Sequence, residues 1–178
     1  MTDREALLAQ IKAKAVVHGA VTLSSGGEAD YYVDLRRISL DGEAAVLVGR
    51  VMRDLTAEVE YVAVGGLTLG ADPIAAAMLH AAAAANDRLD AFVVRKEGKA
   101  HGLQRRIEGP DVFGRKVLAV EDTSTTGGSV LEAVRALREA GAEVAAIAVV
   151  VDRGARQAAE AAGLPYYAAY EADELGLA

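Results

Sequence analysis

Lys116-Val117-Leu118-Ala119-Val120-Glu121-Asp122-Thr123-Ser124-Thr125-Thr126-Gly127-Gly128-Ser129-Val130 reads as strand, turn and helix. Val117 to Val120 is an unbroken apolar run, the pattern of a strand covered on both faces of a parallel sheet. Two acids follow, then a run of hydroxyls, then two glycines, and Val130, Leu131, Val134 and Leu137 resume at helical spacing. The glycines admit a turn closed to other residues, and the N–H groups that open a helix are a ready seat for a phosphate. Glu121 and Asp122 would repel a ligand made of phosphate alone. The vicinal hydroxyls of a sugar would instead donate hydrogen bonds to them, and a magnesium ion could sit nearby. The ligand implied is a phosphorylated sugar. A plain Rossmann-like turn with two solvated acids is the reading the residues also leave open.

Three further segments carry the same strand-then-loop grammar. Tyr61-Val62-Ala63-Val64 reads as a buried strand that runs into Gly65-Gly66-Leu67-Thr68-Leu69-Gly70-Ala71-Asp72-Pro73, with Pro73 suited to the first turn of the next helix. Ligands of open α/β sheets bind at the carboxyl ends of strands, so this loop is either a ligand loop or a tight packing turn. Ala91 to Val94 is the next strand, followed by Arg95-Lys96-Glu97-Gly98-Lys99-Ala100-His101-Gly102, with Arg105 and Arg106 beyond and no apolar periodicity until Val112. Long charged loops are where function concentrates, although a run like this taken alone reads as solvated. Val144 to Val151 is a fourth buried strand, and Asp152-Arg153-Gly154-Ala155-Arg156 stands at its carboxyl end. A guanidinium there suits a planar carboxylate, the alternative being an ion pair of Asp152 with Arg153 or Arg156.

At the start of the chain, Thr2 or Asp3 caps a helix with Leu7, Leu8, Ile11 and Ala15 on one face, ended by Gly19. Val21 to Leu23 and Tyr31 to Leu35 then read as a small hairpin around Ser24-Ser25-Gly26-Gly27. Neighbouring Tyr31 and Tyr32 point to opposite faces of a strand, so at most one of them faces a ligand. Asp41 opens another helix. Leu164 to Tyr170 reads as an edge strand, and Glu171 to Glu174 as a solvated acidic tail. His18 and His80 read as structural.

The 178 residues fit one domain with one sizeable core, and 52% hydrophobic against 25% charged residues is a globular balance. With no Cys, disulfides and thiolate metal sites are excluded, which fits a reducing cytoplasm. No signal pattern opens the chain and the Ala75–Ala85 run is interrupted by His80, so neither export nor a membrane anchor is expected. A net charge of -7 argues against a nucleic-acid partner. Charges beyond about 8 Å are screened at physiological salt, so the local cations from Arg95 to Arg106 decide anion binding.

Val117-Leu118-Ala119-Val120-Glu121-Asp122-Thr123-Ser124-Thr125-Thr126-Gly127-Gly128-Ser129 resembles the 5-phosphoribosyl-1-pyrophosphate (PRPP) signature of the type I phosphoribosyltransferases. The run from Arg95 to Gly109 resembles the catalytic loop of their orotate-specific branch, and Thr22 to Arg37 resembles that branch's N-terminal hood. The resemblance spans nearly the whole chain. It implies an α/β fold, a Rossmann-like parallel sheet with helices on both faces, with a hood formed mainly by residues 1–40 and a mobile catalytic loop at about 97–109. It implies transfer of ribose 5-phosphate from PRPP to orotate, in pyrimidine (UMP) biosynthesis, with Mg2+ as cofactor held through PRPP and water. On this resemblance Arg95, Lys96, Lys99 and His101 contact pyrophosphate, and Glu121 and Asp122 hold the ribose hydroxyls. Thr123, Ser124, Thr125, Thr126, Gly127, Gly128 and Ser129 hold the 5-phosphate, while Thr125 and Arg153 hold orotate. Lys96, Lys99, His101 and Asp122 are the residues it makes catalytic, in a homodimer whose loop reaches the neighbouring site. Two departures stand out. Many relatives place a Lys where Ser24 is and another between Gly65 and Pro73, and this chain has neither. A PRPP-binding regulatory protein of the same fold and a purine phosphoribosyltransferase are the alternatives.

Overall fold

The computed structural model describes residues 1–22, 28–96 and 106–177. Helix α1 (Asp3–Lys14) opens on a reciprocal cap, in which Thr2 Oγ1 accepts from the Glu5 N–H at 3.2 Å and the Thr2 N–H donates to Glu5 Oε2 at 2.7 Å. It stops well before Gly19. Val16 and Val17, stiff β-branched residues, instead start strand β1 (Val16–Thr22), which pairs antiparallel with β2 (Glu28–Val33). Gly19 lies inside β1 with φ 136, where the register shifts. A short helix α2 (Arg36–Ser39), not foreseen in the sequence, leads to α3 (Ala44–Leu55). Asp41 Oδ1 accepts from the N–H groups of Glu43 and Ala44 at 3.0 and 2.9 Å, as its place before the helix implied.

The core alternates strand and helix in chain order: β3 (Ala63–Leu67), α4 (Ala71–Ala84), β4 (Asp90–Val94), β5 (Ile107–Glu108), β6 (Lys116–Ser124), α5 (Gly128–Glu139), β7 (Glu143–Asp152), α6 (Arg156–Ala161) and β8 (Tyr166–Glu171). Among the described residues the main sheet has six strands in the order β5-β4-β3-β6-β7-β8, all parallel except β5. The apolar run at 117–120 is therefore interior, between β3 and β7. Its side chains alternate between two packed layers. Leu118 and Val120 lie in the layer that holds Ile11 of α1, Met52 of α3 and Met78 of α4, while Val117 and Ala119 lie in the layer of Val134 and Leu137 of α5.

Three boundaries differ from expectation. β3 begins and ends later than the apolar run at 61–64, taking in Gly65 and Gly66; Tyr61 lies outside it, its hydroxyl 2.8 Å from that of Thr56. The expected loop at 97–109 is shorter at its end, because Ile107 and Glu108 form β5 against Val94 and Val93. The acidic tail is only partly solvated: Asp173 is exposed, but Ala172–Leu175 form a 3₁₀ turn in which half-buried Glu174 pairs with Arg4 at 2.7 Å, and Leu175 and Leu177 beyond it are buried. His18 and His80 are both exposed, so neither is a core histidine.

Candidate active site

Strand β6 runs through Ser124, so Glu121 to Ser124 belong to the strand and only Thr125 to Gly127 make the turn. The ladder to β7 continues that far, with Thr123 opposite Val151 and Ser124 opposite Asp152. Gly127 then takes the left-handed conformation, φ 78, at the N-cap of α5, where a side chain would be strained and would press on Ala158 at 3.3 Å. Ser124 is buried, whereas Thr125, Thr126, Gly128 and Ser129 are exposed around the uncapped start of α5. This is an open cradle of hydroxyl and N–H donors.

The two acids before it have different environments. Glu121 is 5% exposed and Asp122 is half-buried. Burial, and then the Asp122 charge and the hydrogen bond between the two carboxyls, push Glu121 up to about 8. Glu121 therefore keeps its proton near neutrality. Both side chains converge on Gly70 in the turn after β3, where an added methyl would lie 2.6 Å from Glu121 Oε1 and 2.8 Å from Asp122 Oδ1. The glycine leaves room for the carboxylates.

A third acid stands in the same turn. Thr68 Oγ1 donates to Asp72 Oδ2 at 2.6 Å, and burial raises the Asp72 carboxyl. Its other oxygen, Oδ1, is buried without a hydrogen-bond partner among the described residues. Hard carboxylate oxygens facing one another in this way suit magnesium. Among the described residues no set of three His, Cys, Asp or Glu side chains could hold a metal ion. Arg36 was not singled out in the sequence, though it lies in the Tyr-Tyr-Val-Asp-Leu-Arg-Arg segment that did draw notice. Its guanidinium is held protonated chiefly by Asp34, to which Nε donates at 2.8 Å, and in smaller part by Tyr32 and Asp122. It brings a cation within electrostatic reach of the acids.

At the end of β7, the Arg153 N–H donates to the Ser124 carbonyl at 2.8 Å, setting Arg153 beside Thr125. The ion pair that might have occupied Arg153 does not form. Buried Asp152 instead accepts from the N–H groups of Gly154 and Ala155 and from the Tyr166 hydroxyl, at 3.0, 2.8 and 3.0 Å. Arg156 turns to β8, donating to Glu171 at 2.8 Å and to the Tyr166 carbonyl at 3.1 Å. Among the described residues, Arg153 has no ion pair and its guanidinium lies over the Tyr31 ring at 5.4 Å. That leaves its fork open.

Lys99 and His101 lie outside the described residues. Of the same cationic run, Lys96 is exposed, and Arg95 faces Glu108 at 3.6 Å. Arg106 serves the neck of this segment: the Arg95 N–H donates to its carbonyl at 2.7 Å, and its guanidinium donates to the Lys96 carbonyl at 3.0 Å and to Glu132 of α5 at 2.8 Å.

A sugar-phosphate cradle at the end of a central parallel strand defines a class, and residues 38–164 match the family model for the phosphoribosyl transferase domain. The chain belongs to the phosphoribosyltransferase family. It is 72% identical over 177 residues to the orotate phosphoribosyltransferase of Streptomyces avermitilis, covering 98% of this chain and 97% of that one. It resembles the Mycobacterium tuberculosis H37Rv orotate phosphoribosyltransferase solved in complex with PRPP, with TM-score 0.86 and 50% identity over 99% of this chain and 100% of that one. The same enzyme in complex with Fe(III) dicitrate gives TM-score 0.90 and 56% identity over 99% and 100% of the two chains. Within the family, the chain falls among the orotate phosphoribosyltransferases.

Proposed function

We infer that this protein transfers the ribose 5-phosphate group of PRPP to a ring nitrogen of orotate, giving orotidine 5′-phosphate and pyrophosphate, in pyrimidine (UMP) biosynthesis. The observation that carries the reading is the Arg153–Ser124 hydrogen bond. It sets Arg153, whose guanidinium has no ion pair among the described residues and is matched to the orotate carboxylate, against the strand that presents the ribose-binding acids and the phosphate cradle.

In the reaction a bond forms between the orotate nitrogen, which gives up its proton, and the anomeric carbon, while the bond from that carbon to pyrophosphate breaks and its electron pair leaves with the pyrophosphate. Positive charge develops on the sugar, as in glycoside transfer, and negative charge on the leaving group. Lys96, Lys99 and His101 answer the second of these, and no protein nucleophile is needed. Arg95, which faces Glu108 at 3.6 Å, contacts pyrophosphate alongside them. Glu121 and Asp122 accept from the ribose hydroxyls, and Thr125 to Ser129 hold the 5-phosphate. Thr125 and Arg153 fix the orotate ring, with carboxylate and guanidinium meeting edge to edge. Magnesium, when bound, supplies charge neutralisation for the pyrophosphate oxygens. Glu121, Asp122 and Asp72 are the acids that would hold it or its waters.

The β1–β2 hairpin is the hood over this cleft. The active form is a homodimer, a reading supported by exposed apolar Leu40, Val46 and Leu69 near the pyrophosphate turn. The cytoplasm is its proposed location, in keeping with the absence of Cys. Incubation with orotate, PRPP and magnesium should yield orotidine 5′-phosphate, and chelation should stop it. PRPP binding without product would identify a regulatory protein of the same fold instead.

A further inference from the structure

Tyr31 belongs to the hairpin, far in sequence from β7, and three observations converge on its side chain. The Arg153 guanidinium lies over its ring at 5.4 Å. Its hydroxyl donates to the Leu177 carbonyl at 3.2 Å, near the far end of the chain. Its ring packs, half-buried, against the core layer that holds Leu175 and Leu177. Tyr32, the next residue, points the other way, its hydroxyl accepting from Arg36 at 3.1 Å.

We propose that Tyr31 is a positioning residue for orotate: its ring is a platform that holds the Arg153 guanidinium in the plane that receives the substrate carboxylate, and the Leu177 carbonyl holds the platform in place. The physical need is plain. Arg153 has several rotatable bonds and, among the described residues, no carboxylate to orient it. Left alone it would sample many rotamers, and fixing one of them on binding would cost affinity. An aromatic face under a guanidinium supplies attraction and a fixed plane without consuming the N–H donors at the fork's edge, which a carboxylate partner would consume. Asp152 could have been that partner by sequence proximity, but it caps the backbone of the following turn instead. The specificity of the site then depends on a residue that need not touch the substrate.

The proposal rests on Arg153 reading orotate, and the experiment separates the two. Arg153→Ala should raise the KM for orotate and leave that for PRPP nearly unchanged; equal changes in both would remove the orotate role of Arg153 itself. With that role standing, Tyr31→Leu keeps an apolar side chain against the core but removes the platform. The orotate KM should rise about tenfold, the effect of losing a partly desolvated cation–π contact, with kcat and the PRPP KM within about twofold. Tyr31→Phe retains the ring but gives up the hydroxyl anchor on the Leu177 carbonyl, so its orotate KM should fall between those of the parent and Tyr31→Leu. In an Arg153→Ala background, Tyr31→Leu should add nothing further, because its effect passes through the guanidinium. An unchanged orotate KM in Tyr31→Leu, a parallel rise in both KM values, or full additivity in the double variant would each overturn the platform.

Discussion

A glutamate in the unfolded chain titrates near 4.5, and in this fold burial and the neighbouring Asp122 charge push Glu121 up to about 8. Between those values the native state keeps a proton that the unfolded chain has released, so this residue opposes folding increasingly as pH rises from about 4.5 to about 8. Below the lower value both states are neutral and the penalty is gone. Each unit of difference is worth about 1.4 kcal/mol, and at 5% exposure little of it is lost to solvent screening. Glu121→Gln, which cannot ionise, should therefore raise the melting temperature at pH 8 by several degrees, at about 2–4 °C per kcal/mol for a chain of this size. The gain should fade toward pH 5 while PRPP binding weakens; an equal gain at both pH values would sink the assignment. Both acids were legible in the sequence, but not which of them stays neutral, because that depends on how deeply each is buried. Arg153 was legible too, as a fork at a strand end. Its freedom was not, since it follows from Asp152 capping a turn and Arg156 reaching β8, both set by tertiary neighbours. Tyr31 was legible only as one of two neighbouring tyrosines of which at most one faces a ligand, and Arg36 carried no signal beyond its place in a recognisable segment.

The end of β3 and the turn that follows it show how two similar glycines differ in duty. A methyl on Gly66 would strike the Val120 carbonyl of the adjoining strand, whereas one on Gly70 would meet only the movable ends of Glu121 and Asp122. Gly70 also has helical angles, φ -60 and ψ -40, so alanine fits its backbone and reduces the entropy of the unfolded chain. Gly70→Ala should melt within about 1 kcal/mol of the parent and yet bind PRPP at least about tenfold more weakly, a loss of about 1.4 kcal/mol, readable by calorimetry and thermal melting together. Retained PRPP affinity would show that the acids have room to spare. Strand and helix order was readable from the apolar runs and their spacing. The end of β3 was not, because Gly65-Gly66 carries the signal of a break, while the close approach that requires glycine there comes from strands distant in sequence.

For the whole molecule, the separate hairpin and the exposed apolar residues bear on assembly. If the cationic segment completes the neighbour's site, Lys96→Ala and Asp122→Asn subunits, each nearly inactive, should complement when exchanged. The hybrid dimer then has one site with an intact Asp122 served by an intact Lys96, and activity returns to at most one site per hybrid. No recovery after demonstrated exchange would leave each subunit serving its own site. Composition and charge argue for one domain and against a nucleic-acid partner, but they say nothing about how the two ends of the chain meet. Arg4 of α1 donates to the Ala169 carbonyl and to Glu174, and its own carbonyl accepts from the Tyr170 hydroxyl at 2.7 Å. On the ribosome, then, the first helix emerges long before its partners exist, separated from Ala169 by 165 residues of unfinished chain. A loop that long is slow to close and leaves an apolar helix face waiting for its sheet. The proposed platform under Arg153 waits in the same way, because Tyr31 is tied to Leu177. On that proposal, the groove for the phosphate is laid down in the emerging chain before the support for the base.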